Sequence, residues 1–130
     1  MKRRVLGIVL AALSVGTARA QAPNSGPNFL QTGSTGASLA ATINARNEFR
    51  IGVQAYYRYA FNEAILAFER ANSFRPGETL ILDWLGRAYY RSGMEDTALR
   101  QWQFALQGAS SSEEILIRGR IETVRNRRSL

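Results

Sequence analysis

The chain has 130 residues and a formal net charge of +7. This length suits one domain, and this charge would ordinarily point to a nucleic-acid partner. Four basic residues and no acidic ones lie within the first twenty positions, so the rest carries only 7 − 4 = +3, and no nucleic-acid partner is expected. The sequence has no cysteine and no histidine. This excludes disulfides and removes the usual ligands of zinc, iron and copper, together with the commonest general base.

Residues 1–20 have the features of a secretory signal peptide. Three basic residues at positions 2–4 precede an apolar stretch, Val5–Val15, and Ala18–Ala20 then matches the small-x-small cleavage pattern. The apolar stretch is well short of the roughly 20 residues that span a membrane, which favours cleavage over an uncleaved anchor. We therefore expect a mature chain that begins at Gln21 and is periplasmic or secreted, with no membrane contact beyond the signal peptide.

Residues 21–41 are predicted to be a flexible leader. The segment is rich in Gly, Ser, Asn and Thr, and Phe29 and Leu30 are the large apolar residues of its first part. Such a composition buries too little surface to offset the entropy of ordering. A plain spacer is the favoured interpretation, and docking of Phe29 and Leu30 on a partner is the alternative.

Two helices follow, separated by a turn. From about Thr42, large apolar residues recur at three- and four-residue steps, which is the helical period. The chain is expected to turn near Tyr59–Ala60, with Asn62 as a possible cap of the next helix. That helix carries Ala64 and Phe68 on one face and should end near Phe74, because a proline lies two residues later.

Three more helices are expected in the second half of the chain. One covers about Thr79–Arg91 and ends at Ser92–Gly93, and the next runs from about Glu95 to Leu106. The last lies in the segment 111–130, which combines a capping helix with a basic tail. Ser112 is its possible N-cap, and the narrow apolar stripe of Ile117, Ile121 and Val124 is typical of a helix that covers the end of a repeat stack.

An internal repeat relates the two predicted helical pairs. The shift that places Gly52 on Gly86 also places Ala64 on Ala98 and Phe68 on Trp102, so small residues fall on small ones and rings on rings. Glycine and alanine at these positions allow the paired helices to approach closely. Phe68 and Trp102 are predicted to fill the gaps between neighbouring pairs.

These residues resemble the tetratricopeptide repeat family, whose period of about 34 residues matches the interval from Gly52 to Gly86. Leu85-Gly86-Arg87-Ala88-Tyr89 matches the Leu-Gly-x-x-Tyr core of its first helix, and Ala98-x3-Trp102 matches the Ala-x3-Phe of its second. The resemblance implies an all-α, short tetratricopeptide solenoid with repeats at 42–76 and 77–110 and a capping helix. The segment around Phe49–Tyr57 is also similar to the N-terminal part of spirochaete envelope proteins that join such repeats to a β-propeller, although no propeller blade is present here.

In this family the first helix of each repeat lines a concave surface, so the resemblance implies a groove for a peptide or protein partner. Aromatic and arginine side chains, which are enriched at interaction hot spots, dominate the matching positions. An extended or helical peptide with acidic and apolar residues is the expected ligand. The predicted partner-binding residues are Phe49, Arg50, Val53, Tyr56, Tyr57, Asp83, Trp84, Arg87, Tyr90 and Arg91.

The sequence therefore predicts an exported protein-binding adaptor. Some of the aromatic residues, Tyr56, Trp84 and Tyr90, have an alternative role as packing partners of the fifth helix or the leader. The alternative function is a structural assembly unit that self-associates or docks into a larger envelope complex through its open repeat face. No nucleophile elbow, phosphate-binding loop or metal-ligand pattern is found in the sequence, so neither enzymatic activity nor a cofactor is expected.

Overall fold

The computed structural model describes the backbone of residues 29–130 and the side chains of residues 36–130. This part of the chain is all-α, as predicted, and contains no strand. The predicted signal peptide and residues 21–28 of the predicted leader lie outside the described residues. Ser34–Leu130 forms one compact unit. The helices are α1 (Phe29–Tyr57), α2 (Phe61–Phe74), α3 (Thr79–Arg91), α4 (Glu95–Ala105) and α5 (Ser111–Arg128).

The structure differs from the sequence prediction at the start of α1. The helix begins at Phe29, inside the predicted flexible leader of residues 21–41, and not near Thr42. Residues 36–40 are exposed, and Ala45 is the first buried residue among the described side chains. The segment 37–45 contains four alanines, the best helix former, which favours helix although little of this half of α1 is buried.

Left-handed residues close the turns between the helices. Tyr59 ends the α1–α2 turn with φ of 64°, and Gly93 takes φ of 88° at the α3–α4 turn. Both turns lie where the sequence placed them. The predicted cap at Asn62 is wrong, because Ala60 is the N-cap of α2 and makes no side-chain cap hydrogen bond.

The N-cap of α5 is Ser110, so the prediction of Ser112 is also wrong. The Glu113 carboxylate accepts hydrogen bonds from the Ser110 hydroxyl at 2.6 Å and from its backbone N–H at 2.8 Å. These two bonds lower the pKa of Glu113. The acid three residues after the serine forms a capping box, and Ser112 has Ile115 at the corresponding position.

The predicted close approach of the paired helices at Gly52 and Gly86 is confirmed, and in the structure a buried ring lies against each glycine. A Cβ atom added to Gly52 would lie 2.6 Å from Phe68 Cε1, and one added to Gly86 would lie 2.5 Å from Trp102 Nε1. The rings of Phe68 and Trp102 are fully buried. Helix α1 therefore approaches α2, and α3 approaches α4, at distances that only glycine permits.

Two apolar clusters make up the core. One surrounds Phe68 and includes Ala55, Ala64, Leu85 and Ala88, which joins α1, α2 and α3. The other surrounds Trp102 and joins α3 and α4 to α5 through residues that are all buried: Leu82, Ala98, Ala105, Ile117, Ile121 and Val124. The predicted apolar stripe of α5 is thus confirmed. None of the helices in the described part of the chain is both long and apolar enough to cross a membrane.

Candidate binding groove

A groove opens between the C-terminal part of α1, α3 and α5, with the indole of Trp102 from α4 in its lining. Its volume is about 360 Å³. Tyrosine and arginine side chains supply most of the rim, and a threonine and a valine of α5 complete it. The residues of this binding groove are Tyr56, Arg87, Tyr90, Arg91, Trp102, Arg120, Thr123 and Val124.

A buried carboxylate at Asp83 joins α3, α4 and α5 beside the groove. It accepts hydrogen bonds from Arg87 Nη2 at 2.6 Å and from Arg120 Nε at 2.8 Å. Trp102 Nε1 lies 3.1 Å from the same carboxylate and 3.2 Å from the Asp83 carbonyl oxygen. Asp83 was predicted to contact a partner. In the structure its carboxylate joins α3 to α4 and α5.

Trp84 is the centre of an aromatic cluster beside the groove. Its ring packs edge-on against Tyr56 with centroids 5.4 Å apart, and against Tyr57 at 6.0 Å. The rings of Phe49 and Phe68 also contact it, with centroids 6.2 and 6.0 Å away. The Arg87 guanidinium lies 4.5 Å from the Trp84 centroid, where the ring face attracts a cation. The aromatic cluster therefore comprises Trp84, Phe49, Tyr56, Tyr57 and Phe68.

Arg91 is the most accessible cation of the groove. Its guanidinium lies 5.0 Å from the centroid of Phe61 and 5.8 Å from that of Tyr59. It forms no ion pair with any residue that the structure describes. Its charge and its N–H donors are therefore available to a ligand.

The positive charge of the groove exceeds the negative charge that contacts it. Arg87 and Arg120 share the single carboxylate of Asp83, and Arg91 adds a further positive charge. Arg127 lies close by, with its guanidinium 5.6 Å from the centroid of Tyr90. Arg87 Nε is buried and hydrogen-bonds to no described residue. Such a surface favours a negatively charged ligand.

The structure divides the predicted partner-binding residues into distinct groups. Four of them line the groove together: Tyr56, Arg87, Tyr90 and Arg91. Phe49, Tyr57 and Trp84 belong to the aromatic cluster, and Val53 packs against the core around Phe68. Arg50 is exposed on α1 and lines neither the groove nor the cluster. Tyr57 is 69% exposed, so the cluster presents one ring to solvent.

The α5 wall of the groove was missed at the sequence level. Arg120, Thr123 and Val124 were assigned to a capping helix, whereas the structure places them in the groove lining. A clue was present, because the shift that places Gly86 on Gly119 also places Arg87 on Arg120. The apolar Leu85 corresponds to Arg118 in this alignment, and that mismatch obscured the correspondence between α3 and α5.

No protein-family model and no curated protein matches the chain. The resemblance to the tetratricopeptide family therefore depends on the residues of this chain. The most informative of these are the pair Gly52 with Phe68 and the pair Gly86 with Trp102, which are related by the internal repeat and make equivalent contacts.

Proposed function

We propose that the protein is an exported adaptor of the tetratricopeptide type that binds a peptide or protein partner in the binding groove. The observation that carries this proposal is the groove itself. An opening of about 360 Å³ is bounded by three arginines and two tyrosines drawn from three helices. Arginine and tyrosine are enriched at interaction hot spots because each combines a large contact area with directional donors.

The repeated packing supports the family assignment. Each helical pair places a buried ring against a helical glycine, with an alanine four residues before the ring. Arrays built in this way present a surface formed by one helix from each pair, and α1, α3 and α5 are the helices that line the groove.

The ligand that fits this groove is an acidic segment with apolar or aromatic neighbours. A carboxylate is expected to meet Arg91, since Arg87 and Arg120 are held by Asp83. Tyr56 and Tyr90 offer ring faces beside that position, and the exposed edge of the aromatic cluster extends the apolar contact. This geometry does not suggest a catalytic step, and we propose that the protein is not an enzyme.

The test is capture of partners from an envelope extract of the source cells by immobilised protein. Arg91→Glu reverses the exposed charge without touching the core and should abolish capture of groove-bound partners. Arg100→Glu is the matched control, because Arg100 is also exposed and lies on α4 outside the groove. Equal capture by the parent and the Arg91→Glu variant would rule out this surface.

The alternative function, a self-associating assembly unit, is favoured by one observation. Leu39 and Ile43 lie one helical turn apart on α1 and are 61% and 50% exposed. An apolar pair of this kind gains free energy when a second copy covers it. Light scattering of the mature chain distinguishes the functions, since a stable dimer that Ile43→Glu dissociates supports assembly, and a monomer supports the adaptor.

A further inference from the structure

We infer that α5 carries a second docking site, separate from the binding groove, for a helix of a partner protein. The site is the outer face of α5, which consists of Ile115 and Gly119 with Arg118 and Glu122 beside them. Ile115 and Gly119 are four residues apart and so lie on one side of the helix. This inference does not depend on the ligand of the groove.

The argument begins with the equivalent residues of α3. The shift that places Gly86 on Gly119 also places Leu82 on Ile115. Leu82 is only 5% exposed because it packs with residues of α4, and a Cβ on Gly86 would collide with Trp102. In α5 the same two positions are open: Ile115 is 73% exposed, and a Cβ on Gly119 would meet nothing within 4 Å.

Other residue pairs confirm that this correspondence between α3 and α5 has a structural meaning. Arg87 and Arg120 both donate to the Asp83 carboxylate. Ala88 and Ile121, which the same shift superimposes, are both buried in the core. The groove side of α3 and the buried position of Ala88 are thus repeated in α5, whereas buried Leu85 corresponds to exposed Arg118. Helix α5 also has the side that in α3 packs against α4, but no described helix packs on that side of α5.

Glycine in the middle of an exposed helix is itself informative. It is less favourable there than alanine, because it loses more backbone entropy on folding. Gly52 and Gly86 are required by close contact with Phe68 and Trp102. A third glycine at the same register in α5 is explained if a ring from another molecule approaches that position.

The chemistry of the partner helix follows from α2 and α4. Each places an aromatic ring on the glycine and an alanine four residues earlier, in the pairs Ala64–Phe68 and Ala98–Trp102. The partner is therefore an amphipathic helix with a small residue four positions before an aromatic one. Arg118 and Glu122 supply charges of both signs at the edge, where complementary side chains would set its orientation.

Among the described residues, a second copy of the chain offers no such helix on its surface, since Ala45, which lies four residues before Phe49 in α1, is also buried. Phe68 and Trp102 are already buried with their alanines inside the same molecule. Phe104 is 54% exposed on α4, but the residue four positions before it is Arg100, which is too long for close helix approach. The described residues of a second copy thus offer no exposed helix of this kind, and the geometry points to a helix of a different protein as the occupant.

The test uses a synthetic peptide with the sequence of residues 60–75, which contains Ala64 and Phe68. A covalent crosslink between positions 66 and 70, both exposed in α2, keeps it helical, since a free peptide of this length is marginally stable as a helix. Binding of the labelled peptide to the full chain is measured by fluorescence anisotropy. Gly119→Gln, and separately Phe68→Ala in the peptide, should each weaken binding about tenfold or more.

Controls separate this site from the groove and from a folding defect. Gly119→Gln should keep the parent circular dichroism, because the added Cβ meets no atom within 4 Å. Arg50→Gln lies on the exposed side of α1, outside the site, and should bind the peptide as the parent does. Arg91→Glu should do the same. Absence of binding to the parent, unchanged binding by Gly119→Gln, or loss through Arg91→Glu would each overturn the inference.

Discussion

One substitution made at two glycines should have opposite effects on stability. Gly86→Ala and Gly119→Ala each replace a helical glycine by alanine, a gain of about 1 kcal/mol in helix propensity. At Gly119 the new methyl group meets nothing within 4 Å, so this gain should appear in full. At Gly86 the methyl group would lie 2.5 Å from Trp102 Nε1, and one of the two must move.

Trp102 has little freedom to move. Its ring is 2% exposed, and its N–H is held by the Asp83 carboxylate and carbonyl oxygen. Forcing extra atoms into a packed core costs about 1–3 kcal/mol. Because the propensity gain is common to both variants, Gly86→Ala should be less stable than Gly119→Ala by this amount.

Thermal and urea unfolding followed by circular dichroism measures the difference. For a domain of this size, each 1 kcal/mol corresponds to a shift of roughly 4–8 °C in Tm. We expect Gly119→Ala to melt above the parent and Gly86→Ala to melt well below Gly119→Ala. Equal midpoints for the two variants would refute the claim that close contact with Trp102 requires glycine at position 86.

Three further predictions concern the polar contacts. Asp83→Ala should lower the free energy of unfolding, measured with urea, by about 2–3 kcal/mol. The substitution removes the acceptor of Arg87, Arg120 and the Trp102 N–H, although both arginines are partly exposed. A decrease below about 1 kcal/mol would mean that these contacts contribute little to stability. Burial and a hydrogen bond to Glu69 raise the pKa of Tyr89 to about 12 from 10.0. The stability that the neutral Tyr89 hydroxyl contributes is therefore fully present below pH 10 and is lost as the pH rises towards 12. In the Tyr89→Phe variant the free energy of unfolding should fall less steeply between pH 10 and pH 12 than in the parent. An equally steep fall would contradict Tyr89 as the group responsible. Because the pKa of Glu113 is lowered, its capping hydrogen bonds stabilise the fold above pH 4.5, and this stability is lost as the pH falls. The urea midpoint of the parent should therefore fall in acid, and Ser110→Ala should weaken this dependence on pH. An identical dependence in both proteins would exclude the capping box as its source.

The helices and the close approach within each helical pair could be predicted because sequence spacing encodes them directly. Gly52, Gly86, Phe68 and Trp102 recur at one interval, and the size of each side chain indicates its place. The turn at Ser92–Gly93 follows from local backbone chemistry. In contrast, the start of α1 at Phe29 could not be predicted. The alanines of this segment favour helix and its scattered glycines disfavour it, and composition alone does not show which effect is larger.

The groove was predicted in part, because its α1 and α3 residues follow the repeat. The role of Asp83 was not foreseen, since its partner Arg120 lies 37 residues away along the chain and no local pattern connects them. A carboxylate on a groove helix suggests ligand contact until its internal donors are known. The cap of α5 could have been found, because Ser110 is followed by Glu113 at the spacing of a capping box.

Site-specific photocrosslinking in the source cells tests the central claim, partner binding in the groove, most directly. A photoreactive phenylalanine analogue at position 123 lies in the groove lining, and the same analogue at position 66 lies on the exposed side of α2 as a control. We expect a discrete crosslinked species from position 123 that Arg91→Glu removes, and none from position 66. Crosslinking from position 66 alone, or a product at position 123 that Arg91→Glu leaves unchanged, would contradict the groove as the binding surface.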